Sequence, residues 1–219
     1  HDLVAAFKEV SSKDRLRAVV LASAGDKSFI GGADMREMAA LDSQSAREFI
    51  TLVHETCQAT RDCPVPVVAR IQGHTLGAGL ELAAACDLRV ASKRAVFGMP
   101  EVRIGLPSVI EAALLPRLIG TGRARWLVLT GANIDAEQAL RWGLIEQAVD
   151  PDALDPTVDA LLEMLVANGP LAMRTQKHLT QIWEDTPLAS AIARSIDLFA
   201  QSFERDESSR MLRASADRL

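Results

Sequence analysis

Residues 77–87 read GAGLELAAACD, and up to Cys86 they are small and apolar except for one carboxylate, that of Glu81. A helix that is apolar on every face is normally buried, and a glutamate is almost never fully buried unless it has a partner. The residues alone leave two interpretations. Glu81 either caps the helix N-terminus or pairs with an arginine, or it lies in a poorly solvated pocket with a raised pKa suited to proton transfer.

Strands and helices alternate around that stretch, and they predict an α/β fold. Short apolar runs bounded by Gly or Pro are typical of buried strands, and helical periodicity marks residues 45–60. After Pro107 the sequence is predominantly helical. The strands are predicted at residues 17–22, 63–73, 87–92 and 95–99, and the stretch 144–149 fits one more.

The composition argues against a nucleic-acid-binding protein and against a membrane protein. The 219 residues carry a net charge of −5, whereas nucleic-acid-binding domains usually have a basic balance. No run approaches the ~18 consecutive apolar residues of a membrane span, and no secretory signal pattern opens the chain. The three cysteines have no metal-ligand spacing. We therefore expect reduced thiols, a cytoplasmic location and no bound metal.

Two further stretches follow predicted strands and could carry chemistry. In residues 28–38, SFIGGADMREM, two glycines allow a sharp turn, and Ala33 and Asp34 then begin a helical turn whose free N–H groups could bind an anion. Asp34 as a plain N-cap is the alternative. In residues 97–108, FGMPEVRIGLPS, a proline restricts the backbone ahead of Glu101, which taken alone is an ordinary loop acid.

Taken together, the three stretches indicate chemistry beside a carbonyl group. Backbone N–H groups from two separate helix starts could form an oxyanion hole, and two glutamates could share the space next to it. Such a site can stabilise an enolate and move protons at the α-carbon of a carbonyl compound.

The motifs resemble those of the crotonase superfamily, that is, the enoyl-CoA hydratase/isomerase family. KSFIGGADMREM (27–38) is similar to the family block KAFxAGADxKEM, and IQGHTLGAGLELAAACDLRVAS (71–92) to xxGxAxGGGxELAxxCDxxxAS. AVFGMPEVRIGLPS (95–108) is similar to AxFGxPExxxGxxP, and ANGPLAMRTQKHL (167–179) resembles a later helix that follows xxPxAxxxxK. The resemblance extends over nearly the whole chain.

The resemblance implies an α/β, crotonase-like spiral of ββα repeats followed by a C-terminal helical trimerisation region. We place the spiral core at residues 1–150 and the helical oligomerisation region at residues 151–219. Family members have a strand and a helix segment ahead of the position of His1, so we expect the N-terminal part of the core to be missing. The implied assembly is a homotrimer or a dimer of trimers.

The implied ligand is an acyl-CoA thioester, so that coenzyme A belongs to the substrate and no separate cofactor is expected. Ala33 and Ala78 fall at the positions whose backbone N–H groups form the oxyanion hole of the family. Glu81 and Glu101 fall at the catalytic acid positions of its hydratases. There one glutamate activates water for attack at C3, and the other, here Glu101, delivers a proton to C2. Isomerases of the family often keep only the second.

Further positions concern substrate binding. Asp34, Met35 and Arg36 fall along the path of coenzyme A, together with Ala33 and Ala78. Ser108 stands where typical hydratases have a glycine whose backbone helps to place the attacking water.

Glu111 and His74 are additional candidates. Glu111 adds a third acid, which could be an alternative catalytic group, although a pocket-lining or structural role is the preferred interpretation. His74 could line the acyl pocket or tune Glu81, and a structural histidine is the preferred interpretation. His54 and His178 show no partner spacing in the sequence.

The leading hypothesis is an enoyl-CoA hydratase-like lyase, which reversibly converts a 2-enoyl-CoA to a 3-hydroxyacyl-CoA. The alternatives are an enoyl-CoA isomerase with Glu101 as proton shuttle and a hydrolase or decarboxylase of the same family. A non-catalytic acyl-CoA-binding or RNA-binding member is the competitor of a different class. The acidic balance and the presence of both glutamates count against that competitor.

Overall fold

In the computed structural model, which describes residues 1–217, the chain forms eight short strands, eleven α-helices and three 3₁₀ helices. The strands are β1 (Val19–Leu21), β2 (Ser28–Ile30), β3 (Val67–Ile71), β4 (His74–Leu76), β5 (Leu88–Ser92), β6 (Val96–Gly98), β7 (Asn133–Asp135) and β8 (Gln147–Val149). The α-helices are α1 (Asp2–Ser11), α2 (Met35–Met38), α3 (Ser43–Arg61), α4 (Ala78–Ala85), α5 (Leu115–Ile119), α6 (Thr121–Thr130), α7 (Ala136–Trp142), α8 (Leu154–Val166), α9 (Pro170–Asp185), α10 (Leu188–Gln201) and α11 (Asp206–Ala216). The 3₁₀ helices are Glu101–Ile104, Ile110–Leu114 and Pro151–Ala153.

Consecutive strands divide alternately between two sheets. The first sheet has the order β1-β3-β5-β8 and is parallel throughout. The second has the order β2-β4-β6-β7 and is parallel except for the antiparallel pair β6–β7. Each pair of strands therefore adds one strand to each sheet before a helix, α3 or α4, returns the chain. This is the spiral of ββα repeats that the motifs predicted.

Helix α4 lies at the centre of the fold. All of its residues from Gly79 to Ala85 are buried, and the helix packs against α3 on one side and against the 3₁₀ helix Ile110–Leu114 on the other. Its alanines let these neighbours approach closely, which leaves no solvated face. The burial of Glu81, at 4% exposure, is thus a direct consequence of the apolar sequence around it.

The strands predicted from apolar runs are confirmed as β1, β3, β5, β6 and β8. The helix predicted at residues 45–60 is confirmed as α3. Residues 23–34, which we read from the sequence as a loop after the first strand, contain the strand β2 (Ser28–Ile30), and two other strands of the second sheet were not predicted. These strands have only three residues each, too few to show an alternating pattern. They form because neighbouring backbones pair with them.

Two buried cations join segments that are far apart in the sequence. The ammonium group of Lys177 on α9 donates to Oδ2 of Asp87 at 2.7 Å and to the carbonyl of Val65 at 3.0 Å. The guanidinium of Arg89 on β5 donates to Oε1 of Glu146 at 2.6 Å. Because an unpaired buried charge is costly, these contacts fix where α9 and the segment before β8 lie.

From Pro151 to residue 217 the chain is helical apart from short connections. Helix α10 and the turn after it expose an apolar stripe along one side. The stripe consists of Leu188, Ile192, Ile196, Phe199 and Phe203, each at least half exposed. Apolar areas of this kind mark interaction sites on soluble proteins. None of the helices in the described range 1–217 combines the length and hydrophobicity of a bilayer-spanning segment.

Candidate active site

A cavity of about 430 Å³ opens at the N-terminus of α4. Its walls come from α3, from the turns before α2 and α4, and from the segment 100–109 that follows β6. The lining is mainly apolar, with Phe49, Ile50, Val53, Leu76, Ile104 and Leu106 among its residues. Such a cavity suits an apolar ligand that is oriented by a few polar groups.

Two residues that follow glycine turns, Ala33 and Ala78, have free backbone N–H groups at this cavity. Ala33 and Ala78 both line it, and neither N–H donates a hydrogen bond to another group within residues 1–217. Each follows a glycine in a positive-φ conformation, Gly32 at +107° and Gly77 at +53°. Only glycine adopts these angles without strain, so the two turns leave both amides free to bind an oxygen anion.

Glu81, one turn into α4, is the buried acid of the cavity. Its Oε1 accepts a hydrogen bond from the backbone N–H of Ala112 at 3.2 Å. Burial is the main cause that raises the pKa of Glu81 to about 8; the bond from Ala112 opposes this shift, and the nearby carboxylates of Glu101 and Glu111 add to it. Burial therefore favours the protonated carboxyl at neutral pH, and an acid with a perturbed pKa in a cavity is a candidate for proton transfer.

Glu101 approaches the same space from the 3₁₀ helix after β6. The hydroxyl of Ser108 donates to its Oε2 at 2.9 Å. Its Oε1 lies over the turn at Gly77, so closely that a Cβ on that glycine would clash with it. The two glutamates thus lie on one cavity beside the two free amides, which is the arrangement that the motifs predicted.

The structure brings some of the other predicted residues to the cavity and leaves others outside it. Met35 and Ser108 line it. Asp34 instead caps α2, accepting from the N–H of Arg36 at 2.8 Å, and both of these residues are outside the cavity lining. His74 on β4 is exposed to solvent and is also outside the lining.

Sequence reasoning missed the partner of His54. Nδ1 of His54 on α3 lies 2.7 Å from Oε1 of Glu111, which is buried behind the cavity. The sequence shows no partner spacing for His54, and its partner becomes visible only in the structure. The two residues are 57 positions apart, and no periodicity links positions that far apart, so the sequence carried no signal for this pair.

These groups can act together on a carbonyl compound. Two N–H donors can stabilise negative charge on the carbonyl oxygen, and two carboxyl groups beside it can give and take protons at neighbouring carbons. Within residues 1–217 no cluster of three or more His, Cys, Asp or Glu side chains has metal-site geometry.

Comparisons with known proteins match nearly the whole chain to one family. The family model described as Enoyl-CoA hydratase/isomerase matches residues 1–218. The putative enoyl-CoA hydratase/isomerase YngF of Bacillus subtilis is 37% identical over 188 residues, which are 85% of this chain and 72% of that protein. The short-chain-enoyl-CoA hydratase of Clostridium acetobutylicum is 34% identical over 200 residues, 91% of this chain and 77% of that protein.

A solved structure shows the same architecture. The enoyl-CoA hydratase from Bacillus anthracis superimposes with a TM-score of 0.94 at 29% identity, covering 99% of this chain and 84% of that one. The ββα spiral and the cavity at the start of α4 define a protein of the crotonase superfamily. Within that superfamily, the chain belongs to the enoyl-CoA hydratase/isomerase family, which confirms the resemblance seen in the motifs.

Proposed function

We propose that this protein is an enoyl-CoA hydratase, which adds water reversibly across the 2,3 double bond of a 2-enoyl-CoA. The observation that carries the proposal is that Glu81 and Glu101 share one cavity with the free N–H groups of Ala33 and Ala78. The family, and relatives named as hydratases, support it.

In the proposed reaction the thioester oxygen accepts hydrogen bonds from the N–H groups of Ala33 and Ala78. Attack of water at C3 turns the thioester into an enolate, and the negative charge develops on that oxygen. One such donor contributes about 3–4 kcal/mol to transition-state stabilisation. The two alanines are equivalent to glycines in this role because only the amide is used.

The glutamates move the protons. Glu81 activates water for attack at C3 and Glu101 delivers a proton to C2, so the pair must carry one proton in total. Burial favours that proton on Glu81 before substrate binds, and because the two carboxyls interact, the proton belongs to the pair. Hydration in this direction requires Glu81 to pass the proton through the attacking water to Glu101, which leaves Glu81 ionised as the base.

The substrate class follows from the family and the lining of the cavity. The apolar walls suit an acyl chain, and Met35 at the rim is well placed for the pantetheine part of an acyl-CoA. Coenzyme A enters as part of the substrate, and no further cofactor is needed for this chemistry. We further propose a cytoplasmic enzyme that assembles as a homotrimer or a dimer of trimers, with the exposed apolar stripe of α10 in its contacts.

One observation favours an isomerase as a second candidate. Ser108 binds Oε2 of Glu101 at 2.9 Å, at the position where typical hydratases carry the glycine that helps to place water. In an isomerase, Glu101 alone would carry a proton between C2 and C4, with the same oxyanion hole.

The test is an assay with crotonyl-CoA and with a 3-enoyl-CoA in deuterated water, followed by enoyl absorbance and mass spectrometry. A hydratase consumes the enoyl absorbance and adds one water to crotonyl-CoA. Both Glu81→Gln and Glu101→Gln should abolish that turnover while acyl-CoA binding persists. Isomerisation of the 3-enoyl-CoA that survives Glu81→Gln, without hydration by the wild type, would overturn the hydratase proposal in favour of the isomerase.

A further inference from the structure

A buried glutamate, Glu111, is paired with an exposed histidine, His54, next to Glu81 and outside the lining of the substrate cavity. Glu111, on the 3₁₀ helix Ile110–Leu114, is only 7% exposed. Its Oε1 is 2.7 Å from Nδ1 of His54, and its Oε2 has no hydrogen-bond partner among the described residues. A buried carboxylate with one oxygen unpaired is costly, and structures retain such groups where they serve a purpose.

The backbone connects this pair to Glu81. The residue after Glu111 is Ala112, whose N–H donates to Oε1 of Glu81. The residue before it, Ile110, has a φ of +40°, which is strained for a β-branched side chain. Strain of this kind persists only where the surroundings hold the segment in place, and the contact between Glu111 and His54 is such a holding interaction.

We propose that His54 and Glu111 are positioning residues for Glu81. Their contact holds the segment 110–112 so that the N–H of Ala112 stays on Glu81, and the carboxylate of Glu111 controls how readily Glu81 gives up its proton. The inference rests on the proposed function, since Glu81 is the group that is positioned.

The charges around Glu111 support an electrostatic role. From α3 it faces His54 and the thiol of Cys57, whose pKa is raised by burial first and by Glu111 next, so that the thiol stays neutral. From α4 it faces Glu81, beyond which lies Glu101. The remaining charged neighbours of Glu111 lie around a separate cavity of about 240 Å³, and Glu111 itself lines that cavity.

The cation that lines this second cavity is Arg61, and it already forms ion pairs with other carboxylates. Arg61 forms ion pairs with Glu184 at 3.1 Å and with Asp185 at 3.5 Å, and Asp185 also pairs with Arg117 at 3.2 Å. Within residues 1–217, His54 is therefore the basic side chain in contact with Glu111. Removing the charge of Glu111 should make Glu81 easier to ionise.

The first test needs no substrate. The difference in unfolding free energy between the wild type and Glu81→Gln, followed from pH 5 to 10, reports the pH at which Glu81 ionises in the folded protein. When the same difference is measured in a Glu111→Gln background, the pH at which Glu81 ionises should be lower by about half a unit or more, because a like charge has been removed. Glu55→Gln, an exposed acid on α3, provides the control background, in which no shift is expected.

The second test is kinetic and uses hydration of crotonyl-CoA. Glu111→Gln should move the alkaline limb of the kcat/KM profile to lower pH by the same amount. His54→Leu removes the ring nitrogen and should lower kcat on the order of tenfold with little change in KM, because a misplaced acid affects the chemical step. His54→Asn keeps an N–H donor in the place of Nδ1 and should recover most of the loss.

The outcomes separate the two proposals. An unchanged ionisation range of Glu81 in the Glu111→Gln background overturns this inference, as does equal activity of His54→Leu and the wild type. A wild type that turns over no enoyl-CoA overturns the proposed function instead, and the unfolding comparison then still decides whether Glu111 acts on Glu81.

Discussion

Oε1 of Glu101 lies so close to Gly77 that a Cβ on this glycine would clash with it. Glu101 follows β6, whereas Gly77 precedes α4, so the contact joins the second acid to the turn that presents the N–H of Ala78. The absence of a side chain at Gly77 thus serves both the oxyanion hole and the position of the acid.

Gly77→Ala should therefore disable the site. The new methyl group displaces Glu101 and strains a backbone at φ +53°, so we expect kcat/KM to fall on the order of a hundredfold. Steady-state hydration kinetics measure this. Gly105→Ala is the matched control, because Gly105 also has a positive φ, +80°, but no atom lies within 4 Å of its added Cβ. An equal loss of activity in both variants would contradict the steric argument.

Glu81→Gln should abolish hydration yet stabilise the fold at alkaline pH. The pKa of Glu81 is raised from 4.5 to about 8, so between these values the folded state binds more protons than the unfolded state, and stability falls as pH rises. Relative to the wild type, the variant should gain roughly 4 kcal/mol in unfolding free energy between pH 5 and pH 9. Urea unfolding at a fixed protein concentration measures this gain, and a pH-independent difference would refute it.

Ser108→Gly should remove the hydrogen bond that positions the carboxyl group of Glu101. The hydroxyl donates to Oε2 of Glu101, and a hydrogen bond to a charged group contributes about 1.5–3 kcal/mol, so we expect kcat/KM for hydration to fall about tenfold or more. Ser108→Thr keeps the hydroxyl and is the control. If Ser108→Gly instead hydrates faster than the wild type, the serine is a substitution that suppresses hydration, and the isomerase becomes the better proposal.

Lys177→Met should destabilise the whole fold without touching the site. It leaves Asp87 without its cation, and breaking a buried pair costs about 3–5 kcal/mol, somewhat less here because the Asp87 side chain is 27% exposed. The control is Lys93→Met, which breaks the exposed pair with Asp150 and should cost less than about 1 kcal/mol. Thermal unfolding compares the two variants, and similar losses would argue against a structural role for Lys177.

Ile196→Asp should disrupt self-association if α10 contributes to the assembly. Ile196 is 65% exposed in the middle of the apolar stripe, and a buried charge in an interface is costly. Light scattering should show a trimer or hexamer for the wild type and smaller species for the variant. Ala193→Asp, on the same helix but off the stripe, should keep the wild-type mass. A monomeric wild type would remove the basis of the assembly proposal.

The five strands predicted from sequence were found because each is part of an apolar run that Gly, Pro or polar residues interrupt. The second sheet was found only in part. Ser28–Ile30, His74–Leu76 and Asn133–Asp135 have three residues each, and their strand character depends on the backbones beside them. The same limit applies to contacts, since the pairing of His54 with Glu111 brings together α3 and a 3₁₀ helix far along the chain.

The sequence by itself predicted the α/β fold class from its pattern of strands and helices, and its motifs carried the resemblance that identified the family. Local composition also indicated a buried helix within residues 77–87 and sharp glycine turns before Ala33 and Ala78. The sequence also placed Glu81 in an apolar helix, where burial is expected to raise the pKa of its carboxyl group. Only the tertiary structure decided which carboxyl is desolvated, what holds each acid, and which predicted residues lie away from the cavity. Those properties depend on desolvation and on contacts between distant segments, which exist only once the sheets and helices have packed together.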